Sequence, residues 1–156
     1  MENLNQDQAD LLNQLVEINN DRIEGYEKAI TLLPTENNYG LQGIFQKYRD
    51  QSVQFKNELS PLVIREGDLP TQDTRTSGKL FRTWMEIKSA VAPYTIKAIL
   101  ESCERGEDEF KKVYKDVIQK TQGIPMHTLS IIQSQADLQK QAHDHIKELR
   151  DNIDRE

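Results

Sequence analysis

Cysteine is nearly absent from this sequence. Of 156 residues only Cys103 carries a thiol, so an internal disulfide is excluded. A lone cysteine in an apolar helical stripe reads as a small core residue rather than a reactive thiol. Glycine and proline are also scarce, at seven and five, and they fall mainly at segment ends. No apolar run approaches the roughly 20 residues that span a bilayer, so no membrane partner is expected. There is no long basic run, and the formal charge is −6; neither supports binding to a phosphate backbone. The first residues, MENLNQDQAD, lack the basic patch and apolar stretch of a signal peptide, and a cytoplasmic protein is the expectation. Phosphate-cradling glycine loops, Cys-x-x-Cys pairs and nucleophile-elbow motifs are missing too. With no catalytic and no cofactor-binding constellation to point to, the reading leans away from an enzyme.

What the chain does have is apolar residues at steps of three and four almost throughout, the period of amphipathic helices. The length suits one domain with one core. The first helix is predicted over about 7–33, on Leu12, Val16, Asn19, Ile23, Tyr26, Ile30 and Leu33, and Pro34 ends it. Asn37 or Asn38 can cap the second, over about 39–65, whose stripe is Leu41, Ile44 with Phe45, Tyr48, Ser52, Phe55, Leu59 and Leu62. Pro61 predicts a kink or an early end there, and Gly67 suits the C-terminal cap. After a polar linker, a short helix over about 78–91 carries Phe81 and Trp84. The third main helix is predicted over about 93–120 with Pro93 as its first residue, on Ile96, Ile99, Cys103, Gly106, Phe110, Val113 and Val117. The last runs over about 125–153, on Ile132, Gln135, Gln139, Ala142, Ile146, Leu149 and Ile153.

Tight turns join the first pair of long helices and the last pair, and about 30 residues separate the pairs. Two hairpins and one long crossover is ferritin-like connectivity. The expected fold is therefore all-α: a ferritin-like four-helix bundle with an additional short helix in the crossover. A plain five-helix arrangement has the same core stripes.

Three segments carry a family resemblance: LVEINNDRIEGYEKA at 15–29, SGKLFRTWMEIKSAV at 77–91 and ILESCERGEDEFKKVYKDVI at 99–118. The chain resembles, from about Leu11 to Leu149, a bacterial family of small ferritin-like four-helix bundles catalogued as a domain of unknown function. The resemblance implies the bundle. It implies no reaction, substrate or cofactor.

Di-iron members of the ferritin-like class place one Glu on each of two helices and Glu-x-x-His on each of the other two. Here the residues three before His127, His143 and His145 are Ile124, Lys140 and Ala142, so that motif does not occur. The run ILESCERGEDEF holds five carboxylates, but a helix turns about 100° per residue. Glu101, Glu104 and Asp108 then face solvent, and only Glu107 sits on the shoulder of the stripe. Glu27 is at the edge of the first helix's stripe, and His143 is a shoulder residue on the last. Inward positions are mostly neutral: Asn19, Ser52, Gln135 and Gln139 predict a hydrogen-bonded polar layer that fixes helix register.

Two functions are compatible with this pattern. One is a non-enzymatic structural or interaction protein with no complete di-iron site, acting on an unknown protein partner or by self-association. Its short helix and linker, as the least constrained part, are the expected contact surface. The other is a degenerate metal binder that takes iron or manganese on Glu27, Glu107 and His143.

Overall fold

The computed structural model describes residues 3–34, 38–73 and 95–154. Four long helices account for most of them: α1, Asn3–Leu32; α2, Tyr39–Arg65; α3, Ile96–Lys120; and α4, Met126–Asp154. The short helix predicted at 78–91, with Phe81 and Trp84, falls outside the described residues.

Local chemistry sets the helix ends. Pro34 follows α1 closely and stops it. Asn38 precedes α2, but its side chain donates back to the Pro34 carbonyl (2.8 Å) instead of capping the new helix. α2 does not end early at Pro61; it continues to Arg65, with Pro61 on its exposed side. It closes in a Schellman turn. Gly67, at φ 91°, donates to Ile64, and Asp68 donates to Val63, which satisfies carbonyls that the helix end leaves open. α3 starts at Ile96, not at Pro93: Thr95 is extended, and its hydroxyl accepts from the Ala98 amide at 3.1 Å, an N-cap. Gly123, at φ 82°, turns the chain between α3 and α4.

The helices pair as expected from the loop lengths. α1 packs on α2 and α3 on α4, and the hairpins meet mainly through α1 against α3. One apolar core runs through all four helices, with Leu12, Val16, Phe45, Phe55, Leu59, Ile99, Phe110, Val117, Ile132 and Ile146 fully or almost fully buried.

α1 buries more than the single predicted stripe. Ile23 and Ile30 are only partly covered, whereas Leu15, Ile18, Asn20, Asp21, Arg22 and Ala29 are buried beside the expected Asn19 and Tyr26. A third neighbour adds to the cover on α1. Residues 66–73 run back over α1 and are tied to it by two asparagines. The Asn13 amide donates to the Leu69 carbonyl and accepts from the Thr71 amide, both at 3.0 Å. The Asn20 amide donates to the carbonyls of Thr71 (3.2 Å) and Asp73 (2.9 Å). This part of the linker is held down rather than loose. No described helix is long and apolar enough to cross a membrane.

Candidate functional site

Halfway along the bundle the core turns polar, in two adjoining layers that each bind all four helices. In the first, the Asn19 amide on α1 donates to the carbonyl of Leu15 (2.8 Å) and to the Tyr114 hydroxyl on α3 (2.9 Å). Tyr114 donates to Gln135 Oε1 on α4 (2.7 Å). Gln135 Nε2 then reaches α2, donating to the Phe55 carbonyl and to Glu58 Oε1 at 3.2 and 2.9 Å. A buried polar group without a partner is costly, so each link constrains the register of the next helix.

The second layer is charged. Arg22 on α1 and Glu107 on α3 are both fully buried and form a side-on bidentate pair, Nε to Oε1 at 2.7 Å and Nη2 to Oε2 at 2.8 Å. The remaining side of the guanidinium donates to Ser52 Oγ on α2 at 3.1 Å. Gln139 on α4 donates to the Glu107 backbone carbonyl at 2.9 Å. Three aromatic rings enclose the cation, with centroids 5.0 Å (Phe110), 5.7 Å (Tyr26) and 5.8 Å (Tyr48) from Cζ. Such contact adds cation–π attraction in a desolvated setting. Tyr48 continues outward, its hydroxyl hydrogen-bonded to Nδ1 of His145.

This arrangement sets the protonation of its members. Burial works against the Arg22 charge, but Glu107 and the nearby tyrosines outweigh it, and the net shift is upward. Burial pushes the Tyr26 phenol and the Cys103 thiol well up, and the Glu107 charge adds to both. Tyr114 is raised by burial, against the pull of its hydrogen bond from Asn19. At neutral pH the Arg22 guanidinium is therefore charged, and the phenols and the thiol are neutral. A neutral buried thiol is a poor nucleophile.

The residues read from sequence as a metal set do not meet. Glu27 is exposed on α1. His143 bonds through Nε2 to Asp108 and through Nδ1 to Asp144 (3.0 Å), not to Glu107. Both Glu107 oxygens already accept from Arg22. Among the described residues no three His, Cys, Asp or Glu side chains gather in a way that could hold a metal. An iron or manganese centre of the di-iron type does not fit here, because a guanidinium with its fixed positive charge lies against the buried Glu107 carboxylate.

The expected polar residues Asn19, Ser52, Gln135 and Gln139 all lie in the two layers. Glu104 was expected in solvent but is half-buried, held by Arg150 of α4 (2.8 and 3.3 Å). Arg22 was missed altogether. A signal for it exists: Leu15, Asn19, Arg22, Tyr26, Ala29 and Leu33 form their own four-three stripe, in which Arg22 is an inner position.

A family described as a domain of unknown function (DUF2383) matches residues 7–120. The chain belongs to this family. The match spans α1 to α3 and so includes both Arg22 and Glu107, while α4 lies beyond it. Among solved structures, a Dps1 mutant of Mycobacterium smegmatis is similar in fold, with a TM-score of 0.80 and 14% identity over 96% of this chain and 99% of that one. The family member is thus a ferritin-like helical bundle, and at that identity the likeness speaks for the fold alone. No curated protein matches the chain.

Proposed function

We propose that this chain is a non-enzymatic ferritin-like bundle, a structural or interaction protein that works through its surface. The Arg22–Glu107 pair carries this reading. In a metal-binding bundle, inward carboxylates converge on a cation. Here a guanidinium supplies the positive charge from within the chain, and its two parallel hydrogen bonds use both oxygens of the only fully buried glutamate among the described residues. Four helices cross-linked by two polar layers make a stiff scaffold. Contact surface is available at one end, where Ile64, Leu69 and Met126 are 57%, 75% and 83% exposed; self-association or a protein partner would use such groups.

The test is elemental analysis of protein purified without added metal and then incubated with ferrous iron or manganese. The expected result is no stoichiometric metal after desalting. About one iron or manganese per chain, lost in Glu107→Ala, would overturn the proposal in favour of a metal binder built on Glu107 with Glu27 or His143.

A further inference from the structure

A groove of about 370 Å³ lies between α3 and α4. That volume is within the range of small-molecule sites, roughly 300–1,000 Å³. Its walls are mainly apolar and include the Tyr114 ring, Ile118 and Ala136. The chain as a whole carries −6, yet the rim of this groove is basic. Lys111 and Lys115, one helical turn apart on α3, line it together with Lys140 of α4. Asp137 is the one carboxylate among the lining residues. Lys140 is engaged by Asp144 at 2.8 Å, which leaves Lys111 and Lys115 as the cations that can turn to a ligand. Gln139 adds a second and independent observation. It lines the same groove and is 1% exposed; its Nε2 is used on Glu107, but its Oε1 has no donor. A buried amide oxygen without a partner is expensive, and a donor delivered from the groove would relieve it.

We infer that this groove binds a single-chain amphiphilic carboxylic acid, with the apolar chain along Ile118 and Ala136 and the carboxylate between Lys111 and Lys115. The occupant follows from the walls and the rim together: an apolar body to displace water from the groove, and one negative charge for the two free ammonium groups. A hydroxyl on the chain would in addition donate to Gln139 Oε1. This site does not depend on the metal-free reading of the centre. Apart from Gln139, no side chain of the groove hydrogen-bonds Arg22 or Glu107, so the two proposals can fail separately.

Titration of the full chain with decanoate, kept below its micelle concentration and followed by amide chemical shifts, tests the inference. Saturable binding at one site per chain is expected, with the largest shifts at 111–119 and 136–140. Lys111→Gln/Lys115→Gln should weaken it about tenfold, and Ala136→Phe, which fills the half-buried wall, should abolish it while the far-UV circular dichroism is unchanged. No saturable binding, binding indifferent to both variants, or binding only to anionic phosphatidylglycerol vesicles would overturn the proposal.

Discussion

Glu107 and Asp108 are adjacent in the chain, but one helical step separates two physical settings. Glu107 points into the bundle, is fully buried, and is held by two hydrogen bonds from Arg22. Asp108 points to the α3–α4 surface, is 47% exposed, and meets His143. Both are carboxylates with a basic partner in hydrogen-bond reach. The difference lies in what remains when the partner is removed. In water an orphaned charge is resolvated; in the core it is not. Loss of one member of a buried pair therefore costs several kcal/mol, and exposed pairs contribute between nothing and about 1 kcal/mol.

The two settings differ most in the cost of losing the carboxylate. Glu107→Ala leaves the Arg22 guanidinium buried with only Ser52 and three rings around it, and a loss of about 3–5 kcal/mol in urea unfolding is expected. Asp108→Ala should lose no more than about 1 kcal/mol. Equal losses would erase the distinction. The same centre can be probed without mutation: burial and the Glu107 charge push the Cys103 thiol well up, so native protein should resist a thiol reagent at pH 8. Reaction should appear only as the protein unfolds, and rapid modification of native protein would mean the centre is open.

The strap over α1 is an intermediate case. Asn20→Ala orphans two backbone carbonyls, at Thr71 and Asp73, near a partly covered surface. A loss of about 1–2 kcal/mol is expected, together with faster amide exchange in 68–73. Exchange that does not change would show that the asparagine does not hold the strap.

The smallest effect is at Asp144. A hydrogen bond from Lys140, with a further one from His143, lowers its carboxyl from the ordinary 3.8 to about 2. The folded state then binds fewer protons than the unfolded one between those values. The associated stability is present above about pH 4 and is lost as pH falls through 2. Asp144 is 54% exposed, so solvent screens the effect to a few tenths of a kcal/mol. Asp144→Asn should flatten the acid limb of a stability profile by only that amount.

Most of the architecture was legible in the chain, because helix period and loop length are local signals. The stripe of α2, from Phe45 through Tyr48, Ser52, Phe55 and Leu59 to Leu62, is buried as its spacing predicts. The long gap between the hairpins gave the crossover. Helix limits moved by a few residues where side chains cap: Thr95 caps α3, which starts at Ile96, and Pro61 was accommodated on an exposed face. The polar layer was half legible. Asn19, Ser52, Gln135 and Gln139 lie on the predicted stripes, but a stripe drawn from apolar residues passes over a buried arginine by construction. Arg22 is inside because Glu107 is opposite it, and that pairing joins residues 85 apart in sequence. Likewise, nothing local says that His143 meets Asp108 rather than Glu107.

The middle of this bundle is closed by the Arg22–Glu107 ion pair, each side chain compensating the other's buried charge. A double-mutant cycle measures this most directly, using Arg22→Met, Glu107→Leu and the two combined, with unfolding free energy as the readout. Each single change should cost about 3–5 kcal/mol, since each strands a buried charge, whereas the double variant should return to within about 2 kcal/mol of the parent. Losses that simply add in the double variant would contradict the account, because the two side chains would then not depend on each other.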